Sequence, residues 1–76
     1  MTINKIIKLS PSQVKDFVTA ATKCDFDVDA SNNRFTVDAK SILGVFGLDF
    51  RQPIKVSYRG FNKDFENYLN EHAVAC

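Results

Sequence analysis

The sequence predicts an open-faced α+β sandwich, an antiparallel four-stranded sheet with helices on one face, in the order β-α-β-β-α-β-α. Three observations carry this. Apolar residues recur at helical spacing in two segments that each have one apolar face. In other segments they alternate with polar residues at the period of a strand with one wet side. The chain has 76 residues, a length at which one hydrophobic core is the limit, so residues 1–76 are expected to form a single domain. One-faced helices and alternating strands satisfy one another when the helices lie together on one side of one sheet. By periodicity alone a ferredoxin-like arrangement has nearly the same string of elements.

Residues 3–9 are rich in isoleucine, with Lys5 and Lys8 interspersed, and suit a first strand whose facing the pattern leaves open. The next boundary is better marked. Ser10 is a capping residue, Pro11 suits the first helical position, and Gln13 is placed to reach back to the Ser10 amide. Leu9 and Val14 flank this box as a hydrophobic staple. Val14, Phe17, Val18 and Ala21 then share one helical face, with Lys15, Asp16, Thr19, Thr22 and Lys23 elsewhere.

From Cys24 the period changes to two: Cys24, Phe26, Val28 and Ala30 alternate with Asp25, Asp27 and Asp29. Ser31, Asn32 and Asn33 read as a turn, and Phe35 and Val37 continue the alternation, so residues 24–38 are expected to form a hairpin. Alternate aspartates also open calcium-binding loops. Here they lack the glycine and closing glutamate of such a loop and are interleaved with Phe26 and Val28, which favours a solvated strand face.

Residues 49–53 form a loop ending in Pro53, which is tolerated at the start of a strand. Ile54, Val56 and Tyr58 alternate with Lys55, Ser57 and Arg59 as the last strand, and Gly60 breaks the chain. Phe61, Phe65, Tyr68, Leu69 and His72 then share the face of a closing helix, with Asp64 in its first turn, where the helix dipole favours an anion.

Composition narrows the function. Ten basic and nine acidic residues give a net charge of +1, spread along the chain without the basic stripe a nucleic-acid binder needs. Cys24 and Cys76 have neither disulfide-framework nor zinc-ligand spacing, which favours a reduced, cytoplasmic setting. No metal set and no cofactor motif is present. No apolar run reaches the length of a membrane-spanning helix, and the first residues do not open a signal peptide. Cys76 has no following residues to form a prenylation box.

The densest cluster of signals is the stretch 37–48, Val-Asp-Ala-Lys-Ser-Ile-Leu-Gly-Val-Phe-Gly-Leu. Ser41 is positioned to cap a short helical turn containing more large apolar residues (Ile42, Leu43, Val45, Phe46 and Leu48) than one face can bury. This stretch resembles the second signature of the HPr phosphocarrier family of the bacterial sugar phosphotransferase system. In that family the serine caps a short helix and is the regulatory phosphorylation site. The resemblance runs back through residues 22–28 and the hairpin, and forward through the last strand, Gly60 and the closing helix. It covers essentially the whole chain and implies an HPr-like fold.

The family's other signature is absent. Where its members open the first helix with a phosphoryl-accepting histidine and a nearby arginine, this chain has Ser10 and Ser12. A serine phosphate is a stable ester, whereas relay between carriers needs an acceptor that also gives the group up, so Ser10 does not replace the histidine. It reads as a cap.

The resemblance therefore implies a non-enzymatic regulatory or docking protein of the phosphotransferase system or of catabolite control. Ser41 would be the possible phosphorylation site, Lys40 a phosphate partner, and Leu43 and Phe46 the apolar contact. Its partners would be phosphotransferase-system proteins, an HPr kinase or a catabolite-control regulator. Other readings stay open. Ser41 can be a plain cap, and Leu43 and Phe46 can be core residues. The chain can be a phosphocarrier using His72 or a cysteine, or an assembly module that reuses the fold.

Overall fold

A computed structural model describes residues 1–74, so the expectation for Cys76 falls outside the described residues. The strands are β1 (Ile3–Ile7), β2 (Val28–Asn32), β3 (Phe35–Asp38) and β4 (Ile54–Tyr58), in the sheet order β1-β4-β2-β3. All neighbours are antiparallel. The helices are α1 (Val14–Thr22), α2 (Ile42–Phe46) and α3 (Lys63–His72). This is the open-faced α+β sandwich that the periodicities predict.

The register explains the core. Ile7 lies opposite Ile54, and Val56 lies opposite Ala30. Directly opposed residues share a face, so these side chains form one apolar surface, fully buried beneath Phe17, Ala21, Phe65 and Leu69 of the helices. Phe17 packs against Phe65 at a ring separation of 6.4 Å, which joins α1 to α3 over the sheet.

The start of α1 follows its sequence signals closely. Pro11–Gln13 form a 3₁₀ turn running directly into α1. The Ser10 amide donates to Gln13 Oε1 (2.9 Å) and the Gln13 amide donates to the Ser10 carbonyl (3.0 Å). Leu9 and Val14, the two halves of the staple, are both buried. β1 is shorter than residues 3–9, because after Ile7 the chain turns toward this cap. The C-terminal part of its outer edge is covered by residues 72–74: the Lys8 amide donates to the His72 carbonyl (2.9 Å) and the Val74 amide to the Ile6 carbonyl (3.0 Å).

The hairpin departs from expectation at both ends. Residues 24–27 keep the alternation of burial, with Cys24 buried and Phe26 half-buried, yet are not strand. Strand formation needs a backbone beside it. The β4 ladder ends where Val28 meets Tyr58, and the β3 ladder ends where Asp29 meets Asp38, so nothing remains for residues 24–27 to pair with. Phe26 instead stacks on Tyr58 at a ring separation of 5.7 Å. At the other end the turn is Asn33 and Arg34, with Ser31 and Asn32 still in β2. Asn33 takes the left-handed conformation (φ 52°) that asparagine tolerates.

Two aromatic placements also differ. Phe61 precedes α3 and is exposed, because Asn62 caps the helix by accepting from the Phe65 amide (2.9 Å). Phe35 is on the helix-covered side of the sheet by register, but at its outermost strand, where it is exposed.

Candidate functional site

α2 is held at both ends. At its start, Asp38 Oδ1 accepts from the Lys40 amide (2.8 Å), and the Asp38 carbonyl accepts from the Ser41 amide (2.9 Å). Ser41 Oγ then accepts from the Gly44 amide (3.2 Å), which makes it the N-cap of α2. Just beyond the other end, Asn32 grips the following loop, its Nδ2 donating to the Asp49 carbonyl (2.7 Å) and its Oδ1 facing the Asp49 amide (3.4 Å). Asn32 is the buried polar residue of the core, and these bonds satisfy it.

Between these anchors α2 lies close to β3. A Cβ built on Gly44 would come within 3.2 Å of Val37 Cβ, so the absence of a side chain sets the spacing. Val45 and Leu48 point into the core and are buried. The remaining apolar residues of the turn face out: Leu43 is 82% exposed, Phe46 49% and Ile42 41%. Leu43 and Phe46 are three positions apart and share one side of the turn.

Lys40 is occupied elsewhere. Its ammonium donates to the Cys24 carbonyl (3.0 Å), just beyond the C-terminal end of α1, where a cation is favoured. The Cys24 thiol beneath is buried, which raises its pKa against the opposing field of Lys40.

Ser10 and Ser12 belong to a different element, the entry to α1, where their hydroxyls share a hydrogen bond of 2.9 Å. A shallow groove there is lined by Lys8, Leu9, Ser10, Pro11, Phe50 and Arg51. Its cations already have partners. Lys8 Nζ donates to the Arg51 carbonyl (3.0 Å), and Arg51 donates through Nε and Nη2 to Asp49 (3.0 and 3.2 Å). The Arg51 side chain, assisted by its backbone amide, holds the Asp49 carboxyl below its ordinary pKa.

The sole histidine, His72, is the last residue of α3. Its Nδ1 donates to the Tyr68 carbonyl (2.9 Å), and its ring stacks on Tyr68 at 4.3 Å. Asp25, Asp27 and Asp29 do not converge, and among the described residues no group of three or more histidine, cysteine or acidic side chains could hold a metal ion. Reading the sequence singled out Leu43 and Phe46 but passed over Ile42 and Phe35 as surface residues. For Phe35 no local signal was available, because its exposure follows from β3 being the last strand of the sheet.

The chain has the fold of the HPr phosphocarriers. The solved structure of a phosphocarrier protein HPr from Bacillus anthracis str. Ames superposes on it with a TM-score of 0.71 and 20% sequence identity, over 96% of this chain and 98% of that one. No protein-family model and no curated protein sequence matches the chain. Among the described residues no helix is long and apolar enough to cross a membrane.

Proposed function

We propose that this chain is an HPr-like regulatory or docking protein of the sugar phosphotransferase system or of catabolite control, working in the cytoplasm as a single domain without enzymatic activity or a cofactor. The observation that carries the reading is the form of α2. A short turn, anchored through Val45 and Leu48, presents Leu43 and Phe46 to solvent beside the Ser41 hydroxyl. An exposed apolar pair next to a hydroxyl that can gain roughly −1.5 to −2 charges on phosphorylation makes a small, switchable contact surface. The partners of this surface are phosphotransferase-system proteins, an HPr kinase or a catabolite-control regulator.

Ser10 and Ser12 stand at the degenerate phosphocarrier position and act there as helix-entry residues. A phosphoryl relay has no suitable acceptor at that helix start. His72, the alternative acceptor, has one ring nitrogen committed to the Tyr68 carbonyl. One N–H of the Lys40 ammonium is engaged by the Cys24 carbonyl, and two donors remain with which it could partner a phosphate on Ser41.

The test is twofold. Incubation with an HPr kinase and ATP should label the wild type and not Ser41→Ala. A pull-down from native cytoplasm should retain a phosphotransferase-system or catabolite-control partner with the wild type and lose it with Leu43→Glu/Phe46→Glu. Absence of both label and partner would refute the proposal, and acid-labile label on His72 would replace it with a carrier role.

A further inference from the structure

The two edges of the sheet are finished differently. The C-terminal end of β1 is covered by residues 72–74, through the bonds of Lys8 to His72 and Val74 to Ile6. β3 is the other edge, and among the described residues no strand or segment pairs with its outer side. Its direction of hydrogen bonding follows from the hairpin. The two-residue turn Asn33-Arg34 makes Asn32 and Phe35 the closing bonded pair, and by alternation Ala30 and Val37 are the next. The Ala39 amide donating to the Val28 carbonyl (2.9 Å) continues the same phase. Arg34, Thr36 and Asp38 therefore turn their peptide groups away from β2, and all three are exposed.

We propose that this edge pairs with the same edge of a second copy of the chain, antiparallel, with Thr36 on the two-fold axis. The sequence of the edge is complementary to itself in that register. Thr36 meets the partner's Thr36, and Arg34 meets the partner's Asp38 at each end, so a guanidinium faces a carboxylate twice. These are the residues whose peptide groups point outward, so backbone bonding and charge pairing select the same alignment. The intervening Phe35 meets the partner's Val37 on the helix-covered side, which covers a phenylalanine that is 65% exposed in the isolated chain. Registers shifted by two residues on either strand lose this match: one sets Asp38 against the partner's Thr36 and the other sets Arg34 against it. Larger shifts place Asp38 against the partner's Asp38 or Arg34 against the partner's Arg34, where like charges repel. One lone pair of the Asp38 carbonyl is taken by the Ser41 amide, and the other remains for the partner's Arg34 amide. The occupant is a second copy because the charge order along the edge matches its own reverse.

A four-residue strand makes a small interface, so the association is reversible and concentration-dependent. This inference does not depend on the proposed function. It is tested on the full chain under reducing conditions, by sedimentation and amide NMR from about 10 μM to about 1 mM. The expected result is a monomer–dimer equilibrium with concentration-dependent shifts centred on the amides of Arg34, Thr36 and Asp38. Arg34→Asp and Asp38→Arg should each weaken self-association by roughly tenfold or more, and mixing the two variants should restore it, because their charges complement each other. Thr36→Pro, which removes the donor on the axis, should abolish it. If Asp38→Arg fails to fold through loss of the Lys40 amide acceptor, Arg34→Asp and Thr36→Pro decide the matter, since neither side chain makes a hydrogen bond among the described residues. A monomer throughout the range, shifts mapping to another surface, or a dimer indifferent to these variants would overturn the proposal.

Discussion

The Tyr58 hydroxyl donates to the Glu66 carboxylate, tying the central strand β4 to α3. The pair is bordered by Phe26, stacked on Tyr58, and by Phe65, edge-on to it at 5.4 Å. Lys5 stands 3.8 Å from the other Glu66 oxygen. Removing the hydroxyl leaves a partly buried carboxylate short of a donor. Tyr58→Phe should therefore lower stability by about 1.5–3 kcal/mol, the usual range for a hydrogen bond to a charged group, read from the urea midpoint at neutral pH. Lys5→Met should cost much less, because a long, half-exposed ion pair contributes little.

The two tyrosines make the fold sensitive to alkali. Burial, followed by the bond to Glu66, raises the Tyr58 pKa, and burial pushes Tyr68 up to about 12. The folded state thus holds its phenolic protons more tightly than the unfolded chain, whose tyrosines titrate near about 10. Stability from this source is complete below that pH and declines as pH rises through the folded values. Phenolate absorbance and loss of secondary structure should rise together above about pH 10, and Tyr68→Phe should narrow that loss. Phenolate appearing well before unfolding would contradict it.

Gly60, two residues beyond β4, has φ 156°, and a Cβ there would lie 2.4 Å from Cδ2 of Phe26. Both the backbone and the ring oppose a side chain. Gly60→Ala should destabilise by about 1–3 kcal/mol from backbone strain, with a further loss as Phe26 is displaced from Tyr58. The second part is separable: in a Phe26→Ala background the cost of Gly60→Ala should be smaller, which a double-mutant cycle measures.

Stability and docking should separate at α2. Ser41→Ala removes the acceptor of the Gly44 amide and should cost about 1 kcal/mol, whereas Ser41→Asp retains a capping oxygen and should cost less. Leu43→Glu/Phe46→Glu changes residues that face solvent, so the stability read from urea unfolding should move by less than about 0.5 kcal/mol per site while the proposed docking is lost. A large fall in stability would place these side chains in the core.

Where a boundary is made by local chemistry, the sequence was enough. The Ser10-Pro11-Gln13 box, the Ser41 cap and the glycine break at residue 60 each act through neighbouring residues, and each is found at its predicted place. Errors arose where the outcome depends on distant backbone. Residues 24–27 alternate like a strand and bury like one, but whether they pair is decided by the lengths of β3 and β4. Phe35 and Phe61 count as core by pattern, yet one falls at the last strand of the sheet and the other outside the Asn62 cap. For the candidate site, the capping of α2 by Ser41 was legible locally, whereas Leu43 and Phe46 were singled out through the resemblance and are exposed as it implies. The attachment of Lys40 to Cys24 and of Asn32 to Asp49 joins residues 16 and 17 positions apart, and no local pattern encodes it.

The Asn32 grip on Asp49 bears on the speed of the docking proposed for α2. A five-residue helix has little stability of its own, and if it formed only on contact, each encounter would carry the entropy of ordering it. Tethered by Ser41 before it and Asn32 after it, α2 meets a partner already shaped, so that entropy is lost during folding and not during association. Asn32→Ala should consequently slow binding at the docking surface proposed above, although Asn32 itself is buried.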